Sequence, residues 1–375
     1  MPRLFRIVLA AHFLLVNASA AVYYVATEGE DSNDGSRLAP FRTLSRGTRA
    51  ASAGDIVVVR DGRYGHENIV TGGDGSDINR SPVVLRKSGL PGAWITIRAE
   101  RKWGAVLDCE MRCDSYINLL NAAYISIQGF VIANGYKEGI HSNDSAHHIT
   151  IRGNRIEFIA NRSTATGLGL SGLYTNPACH DFVIDGNVFH DIGRANGGQL
   201  DHGLYLHGSN MTVTNNIFYN IRHGWSIQAA DGLTNALIAH NVFAFKNTEG
   251  KAGQIMLWNR QANLTIRNNI FFGAERYAIA RYQAVITACM IDHNIVYGAS
   301  QMISNVDGCS IEANRVNTDP LFVNSSREPY DFHLRTASPA IGAGAGSSVP
   351  LDFDGLGRKP GAGDIGAFTF TTPVR

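Results

Sequence analysis

Met211-Thr-Val-Thr-Asn-Asn-Ile-Phe218, Ala236-Leu-Ile-Ala-His-Asn-Val-Phe243 and Leu264-Thr-Ile-Arg-Asn-Asn-Ile-Phe271 are one pattern written three times. Each is a short strand rich in β-branched residues, a polar two-residue corner, and a second short strand. The pattern extends upstream to Ile125–Ile132, Ile149–Ile156 and Phe182–Phe189, and downstream to Met290–Val296. Its Asn recurs at 154, 187, 216, 241, 269 and 294, at intervals of 33, 29, 25, 28 and 25 residues. Asn tolerates left-handed backbone angles and so suits a sharp corner. Stacked Asn amides can also hydrogen-bond in a ladder.

One such repeat cannot bury its own apolar face, so neighbours must stack into a continuous core. An antiparallel sandwich would instead show hairpin turns every 8–12 residues or so and no fixed Asn register. The expectation is an all-β, right-handed parallel β-helix of about eight coils, a solenoid with an N-terminal capping helix and an irregular C-terminal cap. Ile184, Val213, Ile238 and Ile266 hold the third position of their repeats and should form one interior column. Phe41 to Ala53 reads as the short capping helix. The Pro- and Gly-punctuated stretch from about 315 to 375 reads as a closing segment.

The remaining sequence fits an exported single domain. Arg3 and Arg6 precede the apolar run Ile7–Val16 and the small residues Ala18-Ser19-Ala20, so residues 1–20 read as a signal peptide. The run is shorter than the roughly 20 residues of a membrane span. Residues 21–375 are then one mature domain, secreted or periplasmic and monomeric. A formal net charge of +1 argues against a nucleic-acid partner. Of five cysteines, Cys109 with Cys113 and Cys289 with Cys309 suit disulfides, leaving Cys179 over.

A further strand of each coil reads Gly139–Asn143, Gly167–Ser171, Gly203–His207, Gly224–Gln228 and Gln254–Trp258. With their apolar residues inward, alternation turns His141, Asn143, Tyr205, His207, Gln228 and Trp258 outward on one face. Aligning Gly203 with Gly224 sets His202 beside His223, Asp201 beside Arg222, Tyr205 beside Ser226 and His207 beside Gln228. Trp258 and Arg260 follow one coil on, then Arg281 and Tyr282. Lys246, in the loop from Phe245 to Gly253, could reach over this face. The turn residues His147, His148 and His180 read as structural, and no metal site is assigned.

Several segments resemble bacterial right-handed β-helix proteins. These are Tyr23-Tyr-Val-Ala26, Asp31-Ser-Asn-Asp-Gly35, Pro40-Phe-Arg-Thr-Leu44, Ala53-Gly-Asp55, Asp61-Gly-Arg-Tyr64 and the stretch from Asp319-Pro-Leu-Phe322 to Phe368. The family includes polysaccharide lyases related to chondroitinase B and alginate lyases, and the mannuronan C-5 epimerases. The resemblance implies a uronate-containing polysaccharide as substrate. β-Elimination needs a base for the C5 proton, an acid for the leaving O4 and a donor or cation against the carboxylate. Tyr205 with His207 or His202 supplies the proton-transfer pair, with His223 close by. Arg222, Gln228 or Arg281 serves the carboxylate, while Trp258, Arg260, Tyr282, Asn143, His141 and Lys246 contact sugar. No cofactor is firmly implied. Ca2+ stays open, although Asp201, Asp231 and Glu249 are scattered rather than gathered as an oxygen cage. Epimerase, glycoside hydrolase and non-catalytic glycan binding are the alternative readings.

Overall fold

The computed structural model describes residues 20–66, 80–166, 169–245, 253–303, 307–346 and 348–372. The signal segment up to residue 19 and Lys246 lie outside the described residues. No described helix is long and apolar enough to cross a membrane.

The chain winds as a right-handed parallel β-helix with three sheets. The first runs from Val22–Val25 and Ile56–Val59 through His147–Arg152, His180–Asp185 and Ser209–Thr214 to Cys309–Glu312. Ten parallel pairings join its eleven strand segments, where the repeat alone had suggested about eight coils. The additional coils lie at the two ends, where the six Asn residues of the repeat do not reach: Val22–Val25, Ile56–Val59 and Ile95–Ala99 precede them, and Cys309–Glu312 follows them. The second sheet carries Arg155–Glu157, Val188–Ile192 and Ile217–Ile221. The third carries Ile117–Leu120, Glu138–Asn143, Ser171–Thr175, His202–Leu206 and Ile227–Ala229.

The interior is a set of columns, one residue per coil. Ile184, Val213, Ile238 and Ile266 stand in register and are buried to within 1% of full enclosure. Beside them Phe189, Phe218, Phe243 and Phe271 stack with ring centroids 5.0 Å apart. Each such side chain contributes roughly 1.5–3 kcal/mol by leaving water. At the corner between first and second sheets runs the Asn ladder. Asn216 donates its backbone N–H (2.8 Å) and its amide (3.0 Å) to Asn241 Oδ1, and Asn241 repeats both bonds to Asn269. Asn314 extends the ladder one coil beyond Asn294.

The left-handed backbone falls one residue earlier than expected. Gly186, Asn215, His240, Asn268 and His293 have φ between 53° and 64°, and the laddered Asn residues do not. The corner is turned by the residue before the Asn. The Asn itself is held by its amide, which satisfies buried backbone groups that the turn leaves unpaired.

At the N-terminal end the helix is shorter than read from sequence, Leu44–Ala50, because Thr43 caps it by accepting from Arg46 N–H (3.1 Å). Both cysteine pairs are bonded, and Cys179 is free and buried. The closing segment lies along the flank of the solenoid. Arg358 donates to Asn215 Oδ1 (2.8 Å), and Asn268 donates to Ala345 O (2.9 Å). Phe332, Ile365 and Phe368 pack with Ile217, Val242 and Ile270 on the second sheet's outer side. A cavity of about 670 Å3 opens between this segment's residues 348–355 and the first sheet.

Candidate active groove on the third sheet

The third sheet presents an aromatic column to the outside. His141, Tyr174, Tyr205, Gln228 and Met256 occupy one register position on successive coils. Their inward neighbours Ile140, Leu173, Leu204 and Ile227 are fully buried, which fixes the opposite facing of the column. His141 stacks on Tyr174 at 4.9 Å, and Tyr174 on Tyr205 at 5.6 Å. His202 stacks on Tyr205 at 5.3 Å, and the His207 ring stands perpendicular to it at 5.1 Å.

The groove alignment requires a correction of two residues. Tyr205 pairs with Gln228, and Leu204 with Ile227. Gln228 therefore lies beside Tyr205 rather than His207. His202 meets Trp225, whose backbone N–H it accepts at Nδ1 (3.1 Å), rather than His223. The two aligned glycines have different causes. A Cβ on Gly203 would stand 2.5 Å from the Ser226 backbone oxygen of the following coil and 3.0 Å from Phe218, whereas one on Gly224 would run into the Asp201 backbone oxygen of the preceding coil. The chain from Arg222 to Gly224 makes a tight turn over Asp201, with Arg222 half-buried and His223 buried.

Asp201 is itself a structural anchor. It is fully enclosed and accepts two side-chain bonds from Arg194, at 2.9 and 2.6 Å. Arg222 and His223 thus do not join the Tyr205 column. Arg260 is held bidentate by Asp231, at 3.1 and 2.9 Å, and this pairing lowers the Asp231 carboxyl to about 2. Arg281 pairs with Asp307 at 3.2 Å. Trp258 stands in register with Tyr282 farther along the groove, where Tyr282 is exposed. Asn143 is within 2.6 Å of His141 Nε2.

Two groove residues were missed from sequence. The third-sheet strand of that coil is Ser171–Thr175, four residues beyond the Gly167–Ser171 reading, and it brings in Tyr174. The signal was present, since Gly172-Leu-Tyr174 repeats Gly203-Leu-Tyr205. Buried Glu138 heads the column Glu138–Ser171–His202, with an oxygen 3.7 Å from His141 Nδ1.

The environment separates the protonation states of the central pair. Burial pushes the Tyr205 phenol up, and burial also pulls His207 down, partly offset by the Asp231 carbonyl and carboxylate. Near neutral pH this gives a protonated phenol beside a neutral imidazole. His207 Nδ1 faces Asp231 O at 3.4 Å, leaving Nε2 as the base position. His202 has the opposite tautomer, because its Nδ1 accepts from Trp225 and its proton sits on Nε2. Among the described residues the one group of three metal-binding side chains is His147, His148 and His180.

A family model described as the Pel9A-like, right-handed β-helix region matches residues 23–263. Among solved structures, pectate lyase Pel9A superposes with a TM-score of 0.56 and 17% identity, over 94% of this chain and 97% of that one. An alginate lyase from Paenibacillus sp. str. FPU-7 superposes with a TM-score of 0.50 and 18% identity, over 73% and 92%. Among curated proteins, the uncharacterized protein YwoF of Bacillus subtilis (strain 168) is 28% identical over 148 residues. That match spans 36% of this chain and 28% of YwoF. By the family match across most of its solenoid, this chain belongs to the Pel9A-like right-handed β-helix proteins.

Proposed function

We propose that the protein is an exported, monomeric polysaccharide lyase that cleaves a uronate-containing glycan by β-elimination in the third-sheet groove. The observation that carries this reading is the Tyr205–His207 pair, perpendicular at 5.1 Å, with pKa values driven apart. Oppositely tuned neighbours suit an acid and a base working in one step. His207 Nε2 takes the C5 proton, and the released electron pair forms the C4–C5 double bond. The C4–O4 bond breaks, and the Tyr205 hydroxyl protonates O4.

Gln228, beside Tyr205 in register, donates to the substrate carboxylate, and the buried His202 ring, stacked on Tyr205 at 5.3 Å, positions that phenol. Arg260 and Arg281, already engaged by Asp231 and Asp307, are assigned to outlying sugar contacts along with Trp258 and Tyr282. No step is routed through Ca2+.

The test is a panel of polygalacturonate, alginate, rhamnogalacturonan and glycosaminoglycans, followed by ultraviolet absorbance and reducing-end release together. Unsaturated ends on one polymer support the reading. New reducing ends without unsaturation would make the protein a hydrolase, and C5 inversion without cleavage would make it an epimerase.

A further inference from the structure

Outside the groove, at the corner where the third sheet passes into the first, three imidazoles meet. One ring nitrogen or another of His147, His148 and His180 comes within 4.8 Å of its counterparts in the other two. His147 and His180 are register partners on adjacent coils, and their rings stack at 4.7 Å and 4°. His148 would ordinarily face away from His147, since strand neighbours alternate. Here it takes a left-handed backbone, φ 53°, which turns its ring to the same side. His147 Nδ1 and His148 Nδ1 then stand 2.8 Å apart.

The setting is pre-shaped. Tyr124 stacks on His148 at 4.5 Å and meets His147 edge-on. Asp181 holds His180 Nδ1 at 2.6 Å and lies 3.8 Å from His148 Nδ1. The same corner position on later coils belongs to Asn210, Asn235 and Asn263, which hydrogen-bond in an exposed amide ladder ending on Asp181. At Asp181 and His148 the amides give way to a carboxylate and an imidazole, so the cluster departs from the repeat just where a coordinating set appears.

We infer that His147, His148 and His180 form a binding site for a late first-row divalent metal ion such as Zn2+, which joins two adjacent coils. Neutral imidazole suits these ions better than it suits Ca2+ or Mg2+. Tetrahedral Zn–N bonds of about 2.0–2.1 Å place ligand nitrogens about 3.3 Å apart. The 2.8 Å pair of His147 and His148 opens by about half an ångström to comply, and the His180 nitrogen, within 4.8 Å of both, closes by at most about 1.5 Å through rotation of its partly exposed ring. Asp181 is the outer carboxylate that orients a ligating His. Three protein ligands leave a coordination position to water. All three rings are partly exposed, so an ion can enter.

The experiment uses the untagged full-length protein, stripped with chelator and titrated with ZnCl2 by calorimetry, with melting followed in parallel. The expected result is one equivalent bound and a higher melting temperature. His148→Ala and His180→Ala should abolish that stoichiometric binding, and Asp181→Asn should weaken it about ten- to a hundredfold. Circular dichroism of the apo variants checks that each folds. Failure to bind Zn2+, Ni2+ or Cu2+ saturably would overturn the inference, as would binding unchanged in His148→Ala and His180→Ala. Groove activity on glycans does not enter this readout.

Discussion

Replacing Asn241 with alanine tests whether the amide ladder holds the solenoid or merely decorates it. Asn241 Oδ1 accepts from Asn216 N–H (2.8 Å) and from the Asn216 amide (3.0 Å), and its own amide donates to Val213 O (2.9 Å). All of these atoms are buried. Truncation leaves at least the buried Asn216 N–H without a partner, at about 1–3 kcal/mol, and removes the amide's bonds to Val213 O and Asn269 Oδ1, at about 1 kcal/mol each. The expected loss is therefore about 2–6 kcal/mol, a large fraction of a typical domain's stability. Asn314 makes the same bonds at the last rung but is only half-buried, so water can replace it. Asn314→Ala should cost about 1 kcal/mol or less. Urea unfolding followed by circular dichroism gives both numbers, with the slope checking that the transition stays cooperative. Equal losses for the two variants, or a loss under about 0.5 kcal/mol for Asn241→Ala, would refute the ladder argument.

Three other outcomes follow from the packing and the groove. Ile238→Asp places an unpaired carboxyl in the interior column and should cost several kcal/mol; a wild-type melting curve would contradict the register. His240, held down to about 3 chiefly by burial, contributes stability that is complete above the ordinary imidazole pKa of about 6.5 and is lost as pH falls toward 3. His240→Gln should flatten the fall in urea-unfolding free energy between pH 7 and pH 4, and an unchanged slope would count against it. Trp258→Ala should raise KM for the polymer more than it lowers kcat; the reverse split in steady-state rates would move Trp258 to the reacting centre.

The solenoid was legible because its determinants are local and repeated. An interior Ile or Val recurs at the third position of each strand, and a buried Asn must recur wherever the backbone of a corner needs an amide. The groove register was less legible because the turn before Ile227–Ala229 is not a repeat unit. Gly203 is small to clear the Ser226 backbone of the following coil and Gly224 to clear the Asp201 backbone of the preceding one, so the shared residue type carried no shared position. Tyr174 was missed for a related reason, the Gly-rich run from 167 to 172 offering two plausible strand starts. The gathering of His147 with His148 depends on one left-handed residue, and alternation alone places those rings on opposite faces.

The most direct test of the groove assignment is turnover by Tyr205→Phe and His207→Ala on whichever polyuronate the wild-type protein cleaves, with melting temperatures measured alongside. Each loses a proton-transfer group and should drop kcat by about 10²–10⁴-fold. Melting should barely change, since both side chains face outward from the core. His202→Ala, which removes the buried ring packed against Tyr205 rather than the base, should fall less than His207→Ala. Near-normal unsaturated-product formation by Tyr205→Phe and His207→Ala, both folded as wild type, would contradict the assignment and move the chemistry off this column.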